Sequence, residues 1–153
     1  MHKGTFNGVD VAIKEIIDNQ TEMVELFTAF QREAQIMSCL DHPNVVKLIG
    51  VITTEPMCLI MEFVPGGTLF DHLVNQEVND SQFPWKLRFR IALDIAKGLQ
   101  HLHSISPPFI HRDLRSPNIL VIFIIIFYFH DYWIIDFFVL IIISWYPWMR
   151  MQA

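Results

Sequence analysis

The sequence predicts an α+β fold: about 65 strand-rich residues with one helix, then about 40 mainly helical ones. Three observations carry this. Val9, Val11 and Ile13 alternate with Asp10, Ala12 and Lys14, the period-2 pattern of a strand. Met23, Leu26, Phe27, Phe30, Ala34 and Met37 recur at helical spacing. Pro65-Gly66-Gly67 then interrupts the chain ahead of a long helical pattern at Pro84–His103, which marks a hinge.

Each element has a local reason. Asn7-Gly8 is a hairpin signal, so Lys3–Phe6 is the expected partner of the Val9 strand. Asn19 and Glu22 are spaced as a capping box for the first helix. Asp41-His42-Pro43-Asn44 ends that helix, because a residue before proline is pushed out of the helical region. Val45–Ile52 and Met57–Val64, separated by Thr53-Thr54-Glu55-Pro56, read as antiparallel strands. Thr68 is placed to cap a short helix through Val74. The long helix takes Pro84 in its first turn, with Ser81 or Gln82 just outside, and a stripe of Ile91, Ile95, Leu99 and Leu102. Ser104–Pro108 stops it.

Composition narrows the function classes. The 153 residues allow one domain with a core, and a net charge of −5 without a basic run argues against nucleic acid. The start, MHKGTFNGVDVAIK, lacks the apolar region of a signal peptide. Cys39 and Cys58 fit no metal or redox spacing and read as reduced, buried thiols of a cytoplasmic protein. His101 and His103 are alternate helical residues that point apart, so a metal pair is not expected. Lys86, Arg88 and Arg90 read as a solvated helix face. The hydropathy is uneven: Val121–Tyr146 is apolar at 22 of 26 positions, without Gly, Pro, Lys or Arg.

Two constellations carry chemistry. Glu33 lies three and four residues from Phe30 and Met37, hence on their inward face, where an unpaired carboxylate is expensive. Lys14 is the nearest candidate partner, and the alternative is a solvated glutamate at the face boundary. The sharper signal is FIHRDLRSPNIL, Phe109–Leu120, which matches H-R-D-L-x-x-x-N at every specified position. The motif resembles the protein-kinase catalytic loop, in which Asp113 would accept the proton of a substrate hydroxyl and Asn118 would hold a magnesium ion.

On these residues the chain resembles the protein kinase superfamily. The resemblance implies an antiparallel-sheet N-lobe over residues 1–61, a hinge over 62–67 and the start of a helical C-lobe over 68–121. VAIK (Val11–Lys14) looks like the strand whose lysine contacts the nucleotide phosphates, and Glu33 in FQREAQIM like the glutamate that positions it. HPNVVKLIG resembles the link to the next strand, and LIMEFVPGGTL the segment joining the lobes. There Met61 would guard the pocket and the backbones of Glu62 and Val64 would bond adenine, with Ala12 and Leu120 sandwiching its ring. Met37, Leu48 and His111 match the family's internal apolar stack. HRDLRSPN, with Arg115 where common serine/threonine kinases carry lysine, is similar to the tyrosine-kinase-like group, whose members mostly phosphorylate Ser and Thr. Arg112 resembles that of kinases switched by activation-loop phosphorylation. The implied cofactors are ATP and Mg2+, and the implied partner is a protein substrate presenting a Ser, Thr or Tyr hydroxyl.

The resemblance covers residues 1–121, an incomplete kinase domain. The family's G-x-G-x-x-G-x-V loop would precede this start, with Met1 where its closing Val is expected, and no D-F-G or A-P-E follows. Residues 122–146 form an aberrant apolar tail, and 147–153 the C-terminal end. Three readings of 121–146 stand open: two degenerate strands with Asp136-Phe137-Phe138 in place of D-F-G, so that Asp136 is a second metal ligand; a membrane helix; or translated T-rich noncoding sequence. A catalytically dead, pseudokinase-like binding module or a membrane-tethered fragment is the alternative to an active kinase.

Overall fold

The computed structural model describes residues 1–16, 23–75, 84–129 and 132–142, and within these the chain divides into two compact units. The capping box foreseen at Asn19 and Glu22, and Ser81 and Gln82, lie outside the described residues.

Among the described residues, the first unit takes 1–41 and 46–63. Strands β1 (His2–Phe6), β2 (Val9–Glu15), β3 (Leu48–Ile52) and β4 (Cys58–Glu62) form an antiparallel sheet in the order β1-β2-β4-β3. Asn7 and Gly8 both take positive φ, 50° and 78°, as a two-residue hairpin turn needs. They fix Phe6 opposite Val9; on its other edge β2 sets Ala12 opposite Met61 and Lys14 opposite Leu59 of β4. Helix α1 (Met23–Ser38) turns Leu26, Phe30, Glu33 and Met37 inward, at steps of four, three and four. The first strand predicted after α1 starts later than expected. Val45 pairs in parallel with Ile141 instead of joining the sheet, and both residues belong to the second unit.

The second unit takes residues 42–45 and 64–142. Thr68 caps α2 (Leu69–Asn75) reciprocally: its Oγ1 accepts from the Asp71 amide at 3.1 Å, and the Asp71 carboxylate accepts the Thr68 N–H at 3.1 Å. The Thr68 hydroxyl also donates to the Asp71 carboxylate at 2.6 Å, and this bond first, then the Thr68 N–H, holds that carboxyl below its ordinary range. Helix α3 (Trp85–Ser104) buries Leu87, Ile91, Asp94, Gly98 and Leu102, a line set slightly around from the predicted stripe, with Ile95 and Leu99 half-buried. After a 3₁₀ turn at Ser116–Asn118 come β5 (Ile119–Phe129) and β6 (Tyr132–Ile141), an antiparallel pair. Leu69, Leu87, Ile91, Ile119, Val121 and Val139 close one core, with Ile95 packed against it.

The tail is thus strand where it is described. Its Ile, Val, Phe and Tyr are the residues that favour a pleated backbone. A membrane helix is not supported, since no described helix is long and apolar enough to span a bilayer. Cys39 also departs from expectation: it is exposed, having followed Ser38 beyond the buried line of α1, whereas Cys58 is buried on β4.

Candidate active site

Each unit holds one of the two constellations expected to carry chemistry. In the first, the Lys14 ammonium on β2 lies 2.7 Å from Glu33 Oε1 on α1, with side chains only 14% and 6% exposed. The reason is steric and electrostatic together. Glu33 occupies the inward line of α1 between Phe30 and Met37, so it must find a cation, and β2 offers one. Ala12 is half-buried opposite the buried Met61. Glu62 spends its N–H on the Lys47 carbonyl at 3.0 Å, while its carboxylate accepts the Lys47 N–H at 2.7 Å.

In the second unit, the segment 109–118 is folded around Asp113. Phe109 is buried, and its N–H donates to the Leu102 carbonyl at 2.9 Å, tying the loop to the end of α3. His111 is buried with Nε2 2.8 Å from the Ile142 carbonyl, while its Nδ1 accepts the Asp113 N–H at 3.3 Å. Together these two contacts select the neutral tautomer protonated on Nε2. Burial pushes the His111 pKa down, against the opposing pull of its bond to Ile142 and of Asp113. Arg112 sits at φ 60°, a left-handed conformation that costs a non-glycine residue roughly 1–2 kcal/mol.

That backbone delivers Asp113 to Asn118. The Asn118 amide donates to Asp113 Oδ2 at 2.7 Å and to the Asp113 backbone carbonyl at 2.8 Å, and Arg115 Nε lies 3.2 Å from Oδ1. The carboxylate is therefore oriented on both oxygens yet still 21% exposed, and it keeps lone pairs for an incoming hydroxyl.

The remaining expected site residues are placed as follows. Val64 is buried and Leu120 half-buried, both in the second unit. Asp136 is held by its backbone opposite Ile124 on β5, six residues before Ile142, so the structure does not bring it to Asn118. Among the described residues no three His, Cys, Asp or Glu side chains converge as a metal site.

Sequence reasoning missed three polar features, of which Asp94 and Asn44 are buried. Asp94 is 1% exposed, with Arg90 Nε at 3.3 Å and Lys97 Nζ at 3.4 Å. It lies three residues from Ile91 on an apolar stripe, the same signal that identified Glu33. Arg90, taken for a solvated residue, is thus committed to Asp94, and Arg88 lies 4.9 Å over the Trp85 ring. His42 stacks on His101 at 4.8 Å, and Asn44 Nδ2 donates to the Val139 carbonyl at 2.9 Å. Neither of these long-range partnerships leaves a local pattern.

The family model for protein tyrosine and serine/threonine kinases matches residues 1–126. The chain belongs to the protein kinase superfamily. Probable serine/threonine-protein kinase pats1 of Dictyostelium discoideum is 39% identical over 79% of the chain, and Probable serine/threonine-protein kinase SIS8 of Arabidopsis thaliana is 39% identical over the same share. Serine/threonine-protein kinase CTR1 of Arabidopsis thaliana is 38% identical over 79% of the chain. The chain spans only 4%, 12% and 15% of the lengths of these three relatives. Its tyrosine-kinase-like reading, indicated by HRDLRSPN, accords with these relatives. The kinase fold accounts for the architecture: the four-stranded sheet and α1 belong to the N-lobe, and α2, α3 and the catalytic loop to the start of the C-lobe.

Protein kinases in general use ATP and Mg2+. Mg2+ demands oxygen ligands in near-octahedral order, carboxylate among them. Here Asn118 would offer a neutral amide oxygen, and both Asp113 oxygens are already engaged. Among the described residues, those beside Asn118 do not fit a magnesium pair.

Proposed function

We propose that this chain is the nucleotide-binding and hydroxyl-activating middle of a cytoplasmic serine/threonine protein kinase, which transfers the γ-phosphoryl group of ATP to a Ser or Thr hydroxyl, or a Tyr one, of a protein substrate. The observation that carries the reading is the fixed Asp113 carboxylate, oriented by Asn118 at 2.7 Å. Asp113 takes the hydroxyl proton as the oxygen attacks phosphorus, and ADP leaves with the electrons of the broken bond. Lys14, steadied by Glu33, neutralises phosphate charge. Met61, Ala12, Leu120 and the backbones of Glu62 and Val64 form the adenine contacts. The named relatives, all serine/threonine kinases, support the substrate class. In the full-length protein that contains this chain, Asp113→Asn should lower phosphotransfer by about 10²–10⁴-fold. Unchanged turnover would refute the assignment.

The second reading is a nucleotide- or partner-binding module without transfer, and the placement of Asp136 opposite Ile124 favours it. Its signature is a thermal shift of the chain with ATP, unaccompanied by phosphorylation of any protein substrate.

A further inference from the structure

We infer that the position from which a second metal ligand would have to reach Asn118 is occupied in this chain by Ile142, so that the chain builds no Mg2+ site at its catalytic loop. The inference rests on the kinase reading of Asn118, and it weighs toward the binding reading of this chain over phosphoryl transfer. Ile142 is fixed there twice: its N–H donates to the Asn118 carbonyl at 2.9 Å, and its carbonyl accepts His111 Nε2 at 2.8 Å. These two loop residues flank Asp113, so the strand end and the loop share one local frame. Ile142 is also 7% exposed, an aliphatic side chain in an interior place. An aliphatic group offers a hard cation no lone pair, and its burial withholds the water that Mg2+ prefers to keep.

Asp136 cannot take over by a modest adjustment. It precedes Ile142 by six residues in an extended strand, which is about 20 Å of backbone. Sliding β6 by that distance would withdraw Val139 and Ile141, both 0% exposed, from the interior. It would also break the bond from the Asn44 amide to the Val139 carbonyl at 2.9 Å and the bond from the Ile141 N–H to the Asn44 carbonyl at 3.1 Å. The apolar register and the buried amide lock the strand where it is.

The test is a titration of the whole chain with Mn2+ alone, a spectroscopic stand-in for Mg2+, read by the loss of the free-ion paramagnetic resonance signal. The native chain and Asp136→Asn should give the same trace, without a site at the loop. Ile142→Asp, with folding checked by circular dichroism, should gain at least about tenfold in Mn2+ affinity, and that gain should vanish with Asn118→Ala. Ile142→Asn, gentler on the interior, should show a smaller gain. A native site abolished by Asp136→Asn or Asn118→Ala overturns the inference, as does a folded Ile142→Asp without gain. None of these readouts involves phosphotransfer, so failure of the Asp113 assignment would be seen separately.

Discussion

Glu33 is a charge that the apolar face of α1 tolerates only because Lys14 meets it. Removing one partner strands the other in a largely buried place, so Glu33→Ala should cost about 3–5 kcal/mol in urea unfolding. The double variant Lys14→Met with Glu33→Leu should recover most of that loss, because two apolar groups replace a desolvated pair. A double variant as unstable as the single one would show that the pair is not what destabilises the site. His111 gives a pH dependence at the same scale. Burial is the first cause holding its pKa below the ordinary 6.5, so the unfolded chain binds the extra proton before the folded one does. His42 is shifted the same way, by burial first and then by the neighbouring charges of His101 and Lys97. Stability should therefore be complete above about pH 6.5 and decline on acidification below it. Urea midpoints across that window should fall less steeply for His111→Gln than for the native chain. The individual residues most legible in the sequence were those with a fixed motif, Lys14, Asp113 and Asn118. Asp94 and the His42–His101 stack were not, because their partners are defined by the fold and not by spacing.

Helix α3 shows how two elements negotiate one contact. A glycine in a helix ordinarily costs up to about 1 kcal/mol relative to alanine, so Gly98→Ala would be expected to stabilise an isolated α3. Here an added Cβ would stand 2.8 Å from the Asn44 carbonyl oxygen and 2.8 Å from Ile141 Cδ1. The backbone oxygen cannot move without losing its bond from the Ile141 N–H, so overpacking wins over propensity. Gly98→Ala should lower stability by about 1–3 kcal/mol, visible as an earlier thermal transition. Asn44→Ala removes the donor to the buried Val139 carbonyl and should cost about 1–3 kcal/mol by leaving that carbonyl unsatisfied. Periodicity located the helices and strands well because each has one apolar face. It misjudged the start of the strand after α1, since Val45 turns to Ile141 through a contact about 96 residues away. It could not choose among readings of the tail, whose runs of Ile and Phe have no alternation to read.

For the whole molecule, the family match ends at residue 126, but the second core does not. Val139 belongs to the cluster of Leu69, Leu87, Ile91, Ile119 and Val121, and Ile142 anchors the catalytic loop through His111 and Asn118. A chain cut after Val121 should keep the secondary structure of its first unit and lose cooperative unfolding of the second. Hydrogen exchange would report this as rapid labelling of α3 amides that the full chain protects. Equal protection in both chains would show the tail to be dispensable.

The anchoring of Ile142 also sets a schedule. Every segment that builds the first sheet has been synthesised by Phe63, whereas Asp113 is not locked in place until Val139–Ile142 follow about 80 residues later. At roughly 5–20 residues per second, the 24 residues from Asn118 to Ile142 leave the catalytic loop unfinished for about 1–5 seconds. Through that interval α3 carries its apolar line without the strand that will cover it, a period in which a chaperone has something to hold.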